Sequence, residues 1–255
     1  MENDRTEEKL TLIEHLEELR RRIIISAIAI MIGFGVAYFF IERIIDFLIK
    51  PLTKTEQAAS LVFLSPHEAF FAYLKLALFV GIFLSLPVTL YQAWKFISAG
   101  LFVSERRLAL IYLPASLILF LVGAVFSYLV VLPIGIKFFL GFTTSTIRPM
   151  ISVTSYISFL GMMILAFGVI FELPLVILFL TKLGVVTPDF LAKKRKHALL
   201  VILVVAAILT PPDCVSQLLM AMPMMILYEG SIWVSRVALA RKKRRGEKGE
   251  ERDNV

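Results

Sequence analysis

Long stretches of sequence without a charged side chain constrain the fold of this chain more than any other feature. Four of them cover residues 23–41, 76–94, 108–136 and 149–181, and Glu172 is the one charge within them. A helix that rises about 1.5 Å per residue needs about 20 apolar residues to cross a hydrocarbon layer roughly 30 Å thick. Each stretch is close to this length or exceeds it, and 58% of the whole chain is hydrophobic. The sequence therefore predicts an all-α integral membrane protein.

Two further apolar stretches, residues 198–212 and 214–228, are separated by Asp213 and have 15 residues each. A helix of this length spans about 22 Å, which is short of a full crossing. They form either short helices in a locally thinned bilayer or a re-entrant hairpin, and both options return the chain to the same side. We expect one membrane domain, residues 1–236, with six transmembrane helices at about 23–41, 71–96, 108–132, 154–181, 197–212 and 215–235.

Lysine and arginine are distributed unevenly between the two sides of such a bundle. Of the 27 basic residues, 21 lie in the N-terminal tail, in the segments after the second and fourth stretches, and in the C-terminal tail. The positive-inside rule then places both termini in the cytoplasm. The net charge of +7 thus reports topology and does not indicate a nucleic-acid partner. The charged tail, residues 237–255, is predicted to be disordered.

The opposite side carries one large segment, residues 42–75, which contains an apolar stretch at 44–49 followed by Pro51. We expect it to form an amphipathic cap on the outer surface. Proline removes a backbone donor and favours kinks, which membrane helices tolerate when neighbouring groups satisfy the freed carbonyl. Kinked helices form a concave bundle. The prolines within or at the ends of the membrane stretches are Pro87, Pro114, Pro133, Pro174 and Pro223.

Glu172 lies about ten residues from Lys182, the first charge after its stretch, which is roughly 15 Å along a helix. This depth is near the middle of the hydrocarbon layer. A carboxylate there costs several kcal/mol unless it is protonated, paired or facing water, so it is a candidate functional residue. The alternative is an internally hydrogen-bonded strut that only joins helices.

Two cytoplasmic acids, Glu18 and Glu105, lie among basic residues, each close to a membrane boundary. Two such carboxylates could hold a pair of guanidinium groups by bidentate hydrogen bonds, which lysine does not reproduce. The ordinary alternative is local pairing along a helix, Glu17 with Arg21 and Glu18 with Arg22. Spacing alone does not show that Glu18 and Glu105 are adjacent.

Several short motifs at the membrane boundaries resemble those of the TatC family, the membrane receptor of the twin-arginine protein translocase. The resemblance covers residues 12 to about 236, and the order of the motifs makes it specific. The motifs are His15-Leu16-x-Glu18-Leu19-Arg20-x-Arg22, Leu86-Pro87-Val88-x-Leu90-Tyr91-Gln92-x-Trp94-x-Phe96, Glu105-Arg106-Arg107, Phe167-Gly168-Val169-x-Phe171-Glu172-x-Pro174, and Thr210-Pro211-Pro212-Asp213 with Ser216-Gln217.

The resemblance implies a cupped six-helix bundle in the cytoplasmic (inner) membrane that binds signal peptides with paired arginines on folded precursors. It implies TatA- and TatB-type single-span partners in a multimeric complex, driven by the proton-motive force without nucleotide hydrolysis. It also assigns roles to individual residues. Glu18 and Glu105 recognise the arginine pair with Arg20 and Phe96 nearby, Glu172 and Gln217 are intramembrane polar contacts, Pro51 lies on the outer cap, and Asp213 lies in an outer loop, whereas the role of Tyr128 is open.

Two other classes of protein compete with this interpretation. A proton-coupled secondary transporter could use Glu172 as a relay, but the sequence shows no inverted repeat and only one acid at membrane depth. An intramembrane enzyme would need a catalytic motif, and neither Gly-x-Ser-x-Gly nor His-Glu-x-x-His occurs. The three histidines lack the spacing of metal ligands. We therefore expect no catalytic activity and no cofactor.

Overall fold

The computed structural model describes residues 12–53, 60–99, 103–141, 150–209 and 214–253. These ranges form ten α-helices, two short strands and one π-helical turn, Ser127–Val131. The helices are α1 (Leu12–Phe39), α2 (Ile41–Thr53), α3 (Glu68–Ala99), α4 (Val103–Phe126), α5 (Leu132–Leu140), α6 (Val153–Phe171), α7 (Leu173–Lys182), α8 (Pro188–Lys193), α9 (Arg195–Leu209) and α10 (Cys214–Asp253), and the strands are β1 (Ser60–Val62) and β2 (Met150–Ser152).

Five stretches within the described residues are helical, long and apolar enough to cross a membrane, which confirms a helical membrane protein. Helix α9 has 15 residues, or about 22 Å, so the sixth crossing stays a prediction. The five stretches are Glu14–Phe39, Glu68–Ser98, Tyr112–Leu140, Val153–Lys182 and Gln217–Ala240.

Helices α1 and α3 pack closely because each carries a glycine at their contact. A Cβ added to Gly33 would lie 2.5 Å from the carbonyl oxygen of Gly81, so no larger residue fits at this distance. Small residues allow helix backbones to approach closely in membranes, where packing replaces the hydrophobic effect as the force between helices. Most of the remaining α1 surface is exposed, including Met31 and Ile32, each 64% accessible. Helix α1 is therefore held mainly through its contact with α3.

Two of the five prolines lie where the hydrogen-bond ladder of a helix is irregular. Pro133 follows the π-helical turn inside a helix that continues from Tyr112 to Leu140, and Pro174 stands in the first turn of α7, after Glu172. Proline lacks a backbone donor, and a local change in helix type accommodates that loss. Pro87, Pro114 and Pro223 lie inside continuous helices.

Helix α2 is amphipathic, as the prediction of an outer cap requires. Ile41 is buried and Ile44 packs against the core, whereas Glu42, Arg43 and Asp46 are exposed. Pro51 belongs to the last turn of α2, but its side chain lies outside the described part of the structure.

The two strands are the one departure from an all-helical fold in the described ranges. They pair in parallel, with Ser60 opposite Met150 and Val62 opposite Ser152, so they join the segments that precede α3 and α6. Residues this far apart in the chain give no local signal of their pairing, and no strand was predicted here.

The charged tail differs from its prediction as well. Helix α10 continues to Asp253, so the segment 237–255, expected to be disordered, is helical through Asp253. Lysine, arginine and glutamate are good helix formers, and extending an existing helix avoids the cost of nucleation.

Candidate functional site

Glu18 and Arg22 form an ion pair one turn apart on α1, in which Arg22 Nη2 donates to Glu18 Oε1. The other terminal nitrogen of Arg22 donates to Gln92 Oε1 on α3, at 3.0 Å. The Arg22 side chain is only 11% exposed, and its Nε is buried without a partner among the described residues. This cluster, Glu18–Arg22–Gln92, confirms the local pairing of Glu18 with Arg22 and extends it to a second helix.

Phe96 lies beside the same end of α1. Its ring stacks on the His15 ring, with centroids 4.5 Å apart and planes inclined by 22°. Phe96 and Gln92 are four residues apart, so they share one face of α3 and both meet α1 there. The structure thus brings Phe96 and Glu18 to one rim of the bundle.

Arg20 is exposed, and the structure shows no contact between it and this cluster among the described residues. Arg21 is exposed too, and no ion pair joins it to Glu17 in the described ranges. Among the described residues, the rim therefore presents two exposed arginines beside the Glu18–Arg22 ion pair.

Glu105 lies in the first turn of α4, and its side chain lies outside the described part of the structure. Helix α3 ends at Ala99 and α4 begins at Val103, so the backbone of Glu105 follows closely on the helix end that carries Phe96. The approach of the Glu105 carboxylate to Glu18 remains a prediction.

The chemistry of the cluster suits a guanidinium ligand. One Glu18 oxygen takes part in the ion pair with Arg22, and the second has no partner among the described residues. Arg22 is positioned by Gln92, so the carboxylate it holds has a fixed direction. A carboxylate arranged this way can accept further hydrogen bonds from a planar guanidinium.

Glu172 occupies the break between α6 and α7. It is the last residue before α7, its backbone carbonyl accepts from Leu175 N and Val176 N, and Pro174 lacks the backbone donor that would continue the hydrogen-bond ladder of α6. Its side-chain Oε2 accepts a hydrogen bond of 2.7 Å from the hydroxyl of Ser116 on α4. The other oxygen, Oε1, is buried without a partner among the described residues.

The packing of α4 against α6 explains why Ser116 meets Glu172. A Cβ on Gly123 would lie 2.5 Å from the carbonyl oxygen of Phe167, and a Cβ on Gly168 would overlap the ring of Phe120. These glycines bring the two backbones together one to two turns from Glu172. Ser116 and Phe120 are four residues apart on α4, and Gly168 on α6 is four residues before Glu172, so the two pairs align across the contact.

Gln217 has a different environment from Glu172. Its Nε2 donates to the carbonyl oxygen of Leu203 at 3.0 Å, which joins α10 to α9. The structure thus gives Gln217 an interhelical hydrogen bond, and no contact between it and Glu172 is observed among the described residues. Asp213 lies outside the described residues.

Glu68 is a buried acid that the sequence analysis did not identify as important. It is 8% exposed and accepts from Leu64 N at 2.5 Å, from Thr154 N at 3.3 Å and from the hydroxyl of Ser152. It therefore ties the start of α3 to β2 and to the start of α6. A local signal was available, because Ser65-x-x-Glu68 before an apolar stretch is a capping-box pattern.

The segments α8, α9 and α10 are joined by a second ion pair. Both Arg195 Nε and Nη2 donate to the Glu229 carboxylate, at 2.6 and 2.8 Å. These hydrogen bonds and the charge of Glu229 raise the pKa of the Arg195 guanidinium. Tyr228 adds a hydrogen bond of 3.0 Å to the carbonyl oxygen of Leu191.

No group of three or more potential metal ligands occurs within the described residues.

Comparison with known proteins gives the same answer from sequence and from structure. The family described as Sec-independent protein translocase protein (TatC) matches residues 14–223. The Desulforapulum autotrophicum protein TatC is 44% identical over 252 residues, which is 98% of this chain and 93% of the relative. The Aquifex aeolicus protein TatC is 43% identical over 236 residues, covering 92% and 98%.

A crystal structure of the twin-arginine translocase receptor TatC superimposes with a TM-score of 0.82 at 43% identity. The superposition covers 89% of this chain and 100% of the compared chain. The match extends across the helices that carry both Glu18 and Glu172, and the chain therefore belongs to the TatC family of multi-pass membrane protein translocase subunits.

Proposed function

We propose that the rim formed by Glu18, Arg22, Gln92 and Phe96 binds the paired arginines of signal peptides on folded precursor proteins, together with Glu105. The observation that carries this proposal is the Glu18–Arg22–Gln92 cluster, in which the carboxylate already holds one guanidinium and keeps an oxygen without a partner. A crystal structure with the same fold is described as the twin-arginine translocase receptor, which supports the assignment.

Charge explains how such a rim selects its ligand. Two arginines beside Glu18, Arg20 and Arg21, are exposed, so they repel a cation that has no specific partner. A local acid makes the approach favourable only where a guanidinium reaches it, which combines repulsion with one specific attraction. Arginine also forms a planar fork of donors that lysine lacks, so a Lys-Lys signal should bind more weakly.

The remainder of the function concerns assembly in the membrane. The protein would lie in the cytoplasmic membrane with both termini inside and six crossings, and would organise TatA- and TatB-type partners for export driven by the proton-motive force. Glu172 is the candidate contact for a partner helix, because its Oε1 is buried without a partner among the described residues. Membership in a protein translocase family does not favour the alternative, a proton-coupled transporter. The same family gives no indication of catalytic activity.

The receptor assignment can be tested by photocrosslinking. A photoreactive amino acid at Leu16, which is 64% exposed and near Glu18, should crosslink to a precursor with an Arg-Arg signal more strongly than to its Lys-Lys variant. The Glu18→Ala change should weaken binding by roughly 1.5–3 kcal/mol, since it removes a charged hydrogen bond. Glu17→Ala is the matched control, because Glu17 is exposed and adjacent and has no ion pair to Arg21.

Glu105→Ala should weaken the same crosslink if both acids act together. Equal crosslinking in wild type and in both the Glu18→Ala and Glu105→Ala proteins would reject the rim as the receptor site. A loss that is equal in Glu17→Ala and Glu18→Ala would show a general charge effect instead of recognition by Glu18.

A further inference from the structure

A cavity lies between α2, α3, α4 and α6, and neither the rim residues nor Glu172 line it. Its volume is about 430 Å³. It extends from α2 along α3 as far as Phe83, which is seven residues and about 10 Å beyond Leu76, another lining residue. The lining is apolar except for Arg43 and Tyr128. None of the residues proposed for signal recognition contributes to it.

The cavity opens towards lipid. Val125 on α4 lines it and is 54% exposed, so the side of the cavity is open within a membrane-spanning stretch. Water is a poor occupant, because a bound water needs two to four polar partners. The Tyr128 hydroxyl already donates to the carbonyl oxygen of Phe47 at 3.0 Å. An apolar group from the bilayer is therefore the fitting occupant.

The arrangement of the lining favours a lipid chain over a protein helix. The cavity runs about 10 Å along α3 between apolar side chains and has one basic group, Arg43, on α2. This is the arrangement that an acyl chain below a charged headgroup requires, because the chain needs apolar walls and the headgroup needs an opposite charge.

Arg43 supplies the charge that a phospholipid headgroup requires. It is exposed on the amphipathic helix α2, it lines the cavity, and no carboxylate lies within ion-pair distance of it among the described residues. Arginine binds phosphate with a fork of donors, and its aliphatic portion can lie along apolar surface while the charge stays at the interface. A headgroup held here would place an acyl chain beside Phe83 and Leu165.

We propose that this cavity is a binding site for one anionic phospholipid, with its phosphate on Arg43 and an acyl chain between α3, α4 and α6. The site belongs to the half of the bilayer that contains α2. It is independent of signal recognition, so it stands even if the receptor assignment fails.

The test uses the full chain in phosphatidylcholine vesicles that contain a small fraction of phosphatidylglycerol with a photoreactive acyl chain. Crosslinking should map to residues around Phe83 and Leu165. The Val125→Trp change should fill the cavity and abolish most of this crosslinking. Val122→Trp is the matched control, because Val122 lies one turn away on α4, is 50% exposed and does not line the cavity.

The Arg43→Gln change tests the headgroup without altering the packing. It should weaken crosslinking to phosphatidylglycerol roughly two- to fivefold, the range for an exposed charged contact, and leave the same photoreactive phosphatidylcholine unchanged. Equal crosslinking in the Val125→Trp and Val122→Trp proteins would overturn the site. Equal crosslinking of the two lipids to wild type would overturn the anionic preference, and a precursor signal crosslinked to Phe83 in place of lipid would make the occupant a peptide.

Discussion

At the scale of single residues, Glu18 and Glu172 differ in what holds their carboxylates. Glu18 lies at a rim where guanidinium groups are plentiful, and its partner, Arg22, carries a full charge. Glu172 lies within a membrane-spanning stretch, where its one observed partner is the neutral hydroxyl of Ser116. Glu18 is therefore held by an opposite charge and Glu172 by a neutral donor.

Loss of the Ser116 hydroxyl should destabilise the protein because Glu172 would then have no hydrogen-bond partner among the described residues. We expect Ser116→Ala to lower the free energy of unfolding by about 1–3 kcal/mol, the cost of leaving a buried polar group unsatisfied. Thermal unfolding in detergent measures this change.

Ser127→Ala is the matched control for Ser116→Ala. Ser127 is also on the α4 side of the bundle and fully buried, but its hydroxyl has no hydrogen-bond partner among the described residues. The change should therefore leave stability nearly unchanged. If both variants unfold at the same temperature, the hydrogen bond between Ser116 and Glu172 contributes nothing measurable.

Glu68 should matter for stability more than any exposed acid. Replacing it with alanine leaves the backbone donors of Leu64 and Thr154 and the Ser152 hydroxyl without their acceptor. We expect a loss of about 2–3 kcal/mol, since hydrogen bonds to a charged group are the stronger kind. Faster hydrogen exchange at β1 and β2 would locate the loss, and Glu42→Ala, at an exposed acid, should show neither effect.

At the scale of helices, the contact of α1 with α3 depends on two glycines. We expect Gly33→Ala to destabilise the protein by about 1–3 kcal/mol, because the new methyl group would press on the carbonyl of Gly81 and overpacking costs this much. The change should also loosen the Arg22–Gln92 hydrogen bond, which joins the same two helices. Thermal unfolding and precursor binding measure the two effects.

Gly35→Ala provides the control on the same helix. No atom lies within 4 Å of a Cβ at Gly35, so alanine meets nothing and gains helix propensity. Its stability should equal or exceed that of the wild type. A loss of similar size in both variants would mean that glycine at position 33 has no special packing role.

Local pairs were predictable from the sequence, and distant pairs were not. The Glu18–Arg22 ion pair agrees with helical spacing, and Glu172 was identified by its depth in an uncharged stretch. The same spacing predicted a pair of Glu17 with Arg21, and no such ion pair is observed among the described residues. The partner of Glu172, Ser116, is 56 residues away in the chain. The acceptor of Gln217 is a backbone carbonyl, which every residue has and which the sequence therefore does not single out. Such contacts arise only when helices pack, because close approach is set by glycines such as Gly123 and Gly168.

Helix ends were the least predictable feature of the elements. The first apolar stretch begins at residue 23, whereas α1 begins at Leu12, because charged residues end a hydrophobic stretch without ending a helix. Conversely, Glu172 and Pro174 end α6 within an apolar stretch that continues to residue 181. Hydrophobicity reports where lipid lies, and backbone chemistry decides where a helix stops.

At the scale of the whole molecule, the number of crossings determines where the two ends lie. Within the described ranges five stretches are long enough to span, and an odd number of crossings would place the ends on opposite sides. Whether helix α9 crosses the membrane therefore decides whether the two ends lie on the same side. Its N-terminal segment carries Lys194, Arg195 and Lys196, which the positive-inside rule assigns to the cytoplasm, and the same rule assigns both tails there. We therefore predict that α9 crosses although it is short, in a bilayer thinned around it.

The native thiol of Cys214 can report this crossing directly. Cys214 is exposed at the start of α10, directly after the link from α9. If both helices cross, a membrane-impermeant maleimide should label it from the outer side only, whereas a re-entrant hairpin would keep it unlabelled from that side. In a Cys214→Ser background, the Glu17→Cys and Ala240→Cys proteins should both be labelled from the cytoplasmic side and His67→Cys from the outer side. Labelling of positions 17 and 240 from opposite sides would contradict six crossings and, with them, the placement of both tails in the cytoplasm.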